Sequence, residues 1–507
     1  MKKILATILA LVMALALTAT VWADGDGTAS GSMTGADFLA KAKNGAITLA
    51  DDVTLSTSCS ISDGQTYTIN LNGHTLSADN TTIMLRHGKL IVNGTGTIKE
   101  NSPYFGAILV KGSENSADEN YSVVEVNAGV TLEGWSAIFI DQLGGKNKIH
   151  DSYGVSVTVN GAVLNGVTDN EGGIGNGLYV NGSITHTENA PEISLKNTTI
   201  TATGEGMYLA GYTTTTLTNC NITGMTGVEI RAGKLTVNGG SFTATAPYSV
   251  SPNGNGSTTV GAAIAVAQHT TKKNIEVALN GGTYTGEKAI SESNPQGNDP
   301  APQVAMSVTA GTFVGDVVTA DVNNFITGGT FSSAVDTTYL ADTVNYKVSG
   351  TNSVSYFTNL NDAVAAAGAD DEVKNLKETS AHSGSTVTLK DGDTVITKLH
   401  TEAATVDLPT LSKSGYTFKG WKDEDGKVYN GKLTILEENG GELVVREAVT
   451  LTAVWSANSY YYYPSTSTTD STTGKASPKT FDAGIGVYAV TAVLSLTGLA
   501  YTGKKKF

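Results

Sequence analysis

Apolar residues in this chain recur behind a short polar phrase. LNGHTL (71–76), VNGTGTI (92–98), VNGAVL (159–164), VNGGSF (237–242) and LNGGTY (279–284) share one form. An apolar residue and Asn lead into a Gly-containing turn, then a small polar residue and a closing apolar one. TAGTF (309–313) and TGGTF (327–331) end the series. LKNTTI (195–200) and LTNCNI (217–222) keep the form without Gly, and VNAGVTL (126–132) carries one extra residue. The closing positions are Leu76, Ile98, Leu132, Leu164, Ile200, Ile222, Phe242, Tyr284, Phe313 and Phe331, at spacings of 22, 34, 32, 36, 22, 20, 42, 29 and 18 residues. A floor of about 20 residues with longer gaps above it predicts a solenoid, one coil per repeat, with insertions looping out.

A second pattern falls between these markers. GAILV (106–110), SAIFI (136–140), NGLYV (176–180), EGMYLA (205–210), TGVEI (226–230) and AAIAV (262–266) are short, β-rich and bounded by Gly, Asn or Thr, so each reads as a strand. Two or three strands per coil, joined by tight turns, describe a parallel β-helix whose coils stack about 4.8 Å apart. Asn and Gly suit its turns because one tolerates and the other readily supplies positive φ. Over roughly residues 45–340 the sequence resembles the right-handed β-helix, pectin-lyase-like superfamily. The fold class expected is therefore all-β: a right-handed parallel β-helix solenoid over 47–340.

The flanks predict a modular chain. Residues 1–23 read as a secretory signal peptide, with Lys2 and Lys3 before an apolar core and Val21 and Ala23 before a cut at Asp24. Residues 24–46 read as an N-terminal cap, with a short helix at 36–43 covering the open edge of the first coil. Insertions are expected near 99–125, 133–156, 165–192, 243–275 and 285–306. At 349–400, Leu360, Ala363, Val364 and Ala367 fall at helical spacing before TVTLKDGDTVI (386–396), which predicts a spacer or a small α+β unit.

Residues 402–455 carry VDLPTLSKSGYTFKGWKDEDGK and end in VTLTAVW. Leu408, Pro409, Gly415, Tyr416, Phe418, Gly420, Trp421 and Trp455 give this segment the look of the Listeria–Bacteroides (internalin-type B) repeat, which implies a small β-grasp-like module of surface proteins. Tyr416, Phe418, Trp421 and Trp455 are its expected core. A low-complexity linker follows at 456–476, including Tyr460 to Tyr463, read as an exposed spacer. Residues 477–507 combine Ser477, Pro478, Lys479 and Thr480 with an uncharged stretch from Ala483 to Gly503 and three terminal lysines before Phe507. That order resembles a sortase sorting signal of Gram-positive bacteria with a transmembrane span. Phe481 stands where the family has Gly. The resemblance implies a sortase or the membrane itself as anchoring partner.

Composition narrows the function classes. Charged residues make up 16% of 507, and the formal net charge is −15. Arg86, Arg231 and Arg446 are the only arginines. So acidic a chain is a poor partner for nucleic acid. Cys59 and Cys220 form neither a disulfide framework nor a metal spacing, and Cys220 reads as a packed free thiol. No cofactor and no metal is expected.

The superfamily includes polysaccharide lyases and hydrolases, but the hydrolase signatures Asn-Thr-Asp, paired Asp-Asp with Gly-His-Gly are not assembled here. Asp51-Asp52 and His74 read as turn residues, and Arg231 as a surface arginine in a polar loop. Asp118-Glu119 and Asp169 with Glu171 read as solvated insertion acids. Trp135 reads either as an exposed sugar-stacking ring or as a coil-turn aromatic. The expectation is a non-catalytic, extracellular, cell-surface rod presenting loops to a glycan or a host or matrix protein. A lyase or glycoside hydrolase on the same rod, and a structural envelope component, are the alternatives.

Overall fold

The computed structural model describes residues 25–458 except 102–104, 145–150, 170 and 255. The expected leader, the tyrosine run, nearly all of the linker and Ser477, Pro478, Lys479 and Thr480 lie outside the described residues. Among the described residues no helix is long and apolar enough to cross a membrane.

The fold is all-β, a solenoid of parallel strands. Each coil contributes to three strand lines. The first line runs through Thr66–Asn70, Gly88–Asn93, Ser122–Val126, Val155–Asn160 and Glu192–Lys196. The third runs through Cys59–Ile61, Ile83–Leu85, Ile108–Lys111, Ser136–Asp141, Asn176–Val180, Glu205–Leu209, Thr226–Ile230 and Ala262–Ala267. Between them lies the second line, which carries the closing apolar residues. Leu76, Ile98, Leu132, Leu164, Ile200, Ile222, Phe242, Tyr284, Phe313 and Phe331 pair in unbroken register from coil to coil. All ten are buried. A one-residue slip would turn this column to solvent, so burial pins the register.

Turn chemistry explains the repeated phrase. Asn72, Asn197 and Asn219 adopt φ of 52°, 50° and 52° at the corner between the first and second lines. Neighbouring coils tie these corners with side-chain amides: Asn219 donates to Asn197 at 2.9 Å, and Asn280 to Asn238 at 3.0 Å. Gly240 is required at its corner, because a Cβ there would sit 2.0 Å from the Cys220 carbonyl oxygen. Cys220 itself is a buried free thiol, as its position predicts.

Both ends of the solenoid are covered. Strand Thr28–Met33, which the apolar pattern does not announce, pairs in parallel with Ala46–Leu55. Helix Gly35–Ala40 then takes the third line's place in that layer. Thr34 caps it by accepting the Asp37 amide at 3.0 Å, and Phe38 is fully buried. The first coil's edge is thereby closed to other strands.

At the other end, Gly329–Phe331 pairs antiparallel with Val354–Phe357. The sheet continues through Tyr346–Ser349, Glu372–Asn375, Thr394–Thr401, Ser385–Asp391, Ala448–Ala457 and Tyr416–Lys422. Helix Leu360–Ala366 packs on it through Ala363 and Val364. Segments 349–400 and 402–455 share one apolar core, in which Val373 and Leu399 join Trp421 and Leu451. Trp455 Nε1 donates to Asp391 at 2.9 Å across the same boundary.

The four expected core aromatics of the 402–455 segment divide. Trp421 is fully buried and donates from Nε1 to the Pro409 carbonyl at 2.8 Å. Phe418 sits edge-on between Trp421 (5.5 Å) and Trp455 (5.3 Å), both rings partly or wholly covered. Tyr416 is a correction: it is 46% exposed. A register shift between Phe418 and Gly420 keeps Phe418 and Trp421 on one face despite their odd spacing. Tyr416 lies on that face too, but at the strand's end opposite Ala457, beyond the core, with only Lys413 over its ring.

Candidate functional site

Along the third line the outward-facing positions are expected to be polar. Instead Phe139, Tyr179 and Tyr208 occupy successive register positions there, followed by Glu229. Phe139 and Tyr179 meet edge-on at 4.8 Å, and Tyr179 lies 5.1 Å from Tyr208 at a tilt of 43°. Trp135 leans on Tyr179 at 5.4 Å. It is half-buried at the bend between Val130–Gly134 and Ser136–Asp141, which fits the coil-turn reading and not that of a free-standing platform.

Three corners build walls around this aromatic floor. Asn181, Gly182, Ser183 and Thr185 come from the turn after Tyr179, and His269 with Thr271 from a turn three coils on. Together with Tyr179, Tyr208 and Gln142 they enclose a pocket of about 450 Å³. Asn181 is held at both ends: its Nδ2 donates to Asp141 at 2.8 Å, and its Oδ1 accepts the Ser183 amide at 2.9 Å. Asp141 in turn meets Lys111 at 2.8 Å. His269 is 5% exposed, with Nδ1 3.0 Å from the Thr271 hydroxyl. Burial, and then the nearby Arg231 charge, push its imidazole down to about 4, so it is neutral at physiological pH. Among the described residues the lining holds rings, amides, hydroxyls and this imidazole, and no carboxylate, lysine or arginine.

Behind the floor is a buried ionic cluster that holds an insertion in place. Arg231 is fully buried, which corrects its reading as a surface arginine. Its Nη1 donates to the Tyr208 hydroxyl at 3.0 Å and to the Gly256 carbonyl at 2.6 Å, and Nη2 donates to the Asn253 carbonyl at 3.1 Å. Its Nε lies 3.9 Å from Glu229. Glu229 accepts the Thr258 amide at 3.0 Å and the Thr258 hydroxyl at 2.6 Å. The insertion near 243–275 therefore folds back over the third line, and the cluster fixes Tyr208 from behind. Burial, then the neighbouring Glu205 carboxyl, push Glu229 up to about 7 against the pull of Thr258 and Arg231. Burial raises Glu205 as well. These two acids are 0% and 4% exposed, so they serve the fold behind the pocket and not its open side.

The other sequence candidates stay apart. Asp118 accepts from Ser113 and Asn115, and Asp169 accepts the Glu171 and Gly173 amides, so each closes its own loop. Asp51, Asp52 and His74 each place one ligand atom within 4.8 Å of the others. The turn reading of the two acids is corrected, because Asp51 and Asp52 lie inside strand Ala46–Leu55, where Asp52 Oδ1 accepts the Thr75 amide at 2.8 Å and its side chain is 71% exposed.

Sequence reasoning passed over Tyr179, Tyr208, Asn181 and His269. One signal was present: SAIFI, NGLYV and EGMYL each place an aromatic ring where strand alternation calls for an outward polar residue. Compared with known proteins, the chain matches no family model, no curated protein and no solved structure.

Proposed function

We propose that this chain is an extracellular carbohydrate-binding solenoid, a right-handed β-helix displayed from the cell surface, which takes an uncharged glycan in the pocket over Tyr179 and Tyr208. The observation that carries this reading is the pairing of an aromatic floor with a wall of oriented amides and hydroxyls. Sugar rings present C–H faces that lie against aromatic rings, and hydroxyls that pair with fixed amides and side-chain hydroxyls. The lining's lack of charge favours neutral over acidic sugars, since a buried anion without a cation partner is strongly disfavoured.

The display itself rests on the sequence: the leader at 1–23, the resemblance of 402–455 to surface-protein repeats, and the sorting-signal order from Ser477 to Thr480. A sortase or the membrane is the anchoring partner. Screening residues 24–458 on a glycan array, with product release scored in parallel, tests the reading. Binding of neutral glycans without new reducing ends or unsaturated products is the expected result, lost on Tyr179→Ala. Released products would instead favour a lyase or hydrolase. Binding that survives Tyr179→Ala would move the site elsewhere on the rod.

A further inference from the structure

The inward column beside the third corner is apolar from coil to coil. Val110, Ile140, Val180, Leu209, Ile230 and Val266 hold successive register positions in it. The next position belongs to Glu292, which is 3% exposed. A carboxylate in such a column is strongly disfavoured unless its oxygens are engaged. One oxygen is engaged: Oε2 accepts the amides of Ala320 and Asp321, both at 2.9 Å, where the chain turns after the last full coil. The other, Oε1, has no hydrogen-bond partner within 3.5 Å, although the Gln268 side chain is near enough to favour the charged carboxylate.

Beside it lies Gln268, fully buried at the corner that follows Ala262–Ala267. Its Nε2 reaches Asp321 Oδ2 at 3.4 Å, and its Oε1 is also without a partner. Asp321 is exposed and opens the group to solvent. Glu292 Oε1 and Gln268 Oε1 are two buried acceptors without a donor, and with the Asp321 carboxylate beside Gln268 the group favours a positive partner. Hydrogen-bond capping of the closing turn explains Oε2 of Glu292 and leaves both orphaned oxygens unexplained.

We propose that Glu292, Gln268 and Asp321 bind a hard divalent cation of the calcium class. The donors are all oxygen, two carboxylates and an amide carbonyl, with water completing the shell. The cation would join three coil layers, linking the corner at 268 to Glu292 one coil on and to the turn at 321. It would also steady the corner that carries His269 into the pocket. The site does not depend on the glycan reading, and glycan binding is not its readout.

The test is calcium titration of the full chain by calorimetry and by terbium luminescence, with thermal unfolding recorded with and without calcium chloride. Saturable binding with Kd in the range of about 10⁻⁵–10⁻³ M and a higher Tm is expected. Asp321→Asn, a change at the solvent side that leaves folding intact, should weaken binding by about tenfold or more. Glu292→Gln should abolish it. Asp52→Asn, in the exposed Asp51, Asp52 and His74 group, should change nothing. Two results overturn the proposal: no calcium response up to about 10 mM, or a response lost with Asp52→Asn and kept with Asp321→Asn.

Discussion

Two columns of aromatic rings run along this solenoid at the same coil spacing, and only one of them is closed. In the second line Phe242, Tyr284, Phe313 and Phe331 stack at 5.2, 4.8 and 4.7 Å, with planes within 15° of parallel. All four are buried, and Tyr284 satisfies its hydroxyl on the Gly281 carbonyl at 2.6 Å. In the third line Phe139, Tyr179 and Tyr208 keep the spacing but turn by 85° and 43° to one another.

The difference follows from sidedness. An inward ring has one space, bounded above and below by copies of itself, so each repeats its neighbour's orientation. An outward ring meets whatever its corner supplies. Here the corners supply Asn181, Thr185 and His269 on one side and the ionic cluster of Arg231 and Glu229 on the other. The inward column is a structural element, and the outward one is a floor with a cavity above it.

Breaking the inward column should do the most damage. Phe313→Ala removes one ring from a stack of four and should cost about 3–5 kcal/mol in urea unfolding while leaving glycan binding per folded molecule intact. If that substitution were neutral, the stack would be filler.

The ionic cluster comes next. Glu229 is raised when folded, so its contribution is fully present below its ordinary value of 4.5 and is lost as pH rises through about 7. Glu229 should therefore contribute on the order of 1–3 kcal/mol more stability at pH 5 than at pH 8. Glu205, also raised by burial, adds to this slope, whereas His269, held down to about 4, opposes it, because its contribution is present above its ordinary 6.5 and is lost as pH falls through about 4. Glu229→Gln, which keeps the Thr258 contacts in part and removes the charge, should gain on the parent in Tm as pH rises from 5 to 8.

Tyr179→Ala sharpens the contrast from the outside. Because the ring is only half-buried, stability should fall by about 1 kcal/mol while glycan affinity drops by at least about tenfold. The smallest effect is expected at Tyr416, where Ala should change stability by no more than about 0.5 kcal/mol. Trp421→Ala, in the same strand, should cost about 3–5 kcal/mol by the same denaturation measurement.

Much of this architecture was legible in one dimension. The ten closing positions read from the sequence are successive rungs of the second line, which begins a coil earlier at Val53, and the six GAILV-type runs are strands of the third. The helical spacing of Leu360, Ala363 and Val364 also appears as a helix, Leu360–Ala366. Strand Thr28–Met33 was not legible, because TASGSM has little apolar content and acquires its pairing from the coil beside it. Nor was the common core of 349–400 and 402–455, which joins residues far apart in the chain.

Local chemistry explains which parts the sequence determined alone. A solenoid repeats the same contact in every layer, so period, turn residues and inward face are all written within about 20 residues. The pocket and the Glu292 group are products of the tertiary structure. Arg231 carries no local sign of burial; the fold-back that brings the Asn253 and Gly256 carbonyls onto its guanidinium covers it. Tyr179, Asn181 and His269 belong to different coils and meet because coil stacking and insertion length bring their corners to one face. Glu292 is an ordinary acid in ISES until the register places it beneath Val266 in an apolar column. What depends on one layer is readable from its residues, and what depends on the offset between layers is decided only when they stack.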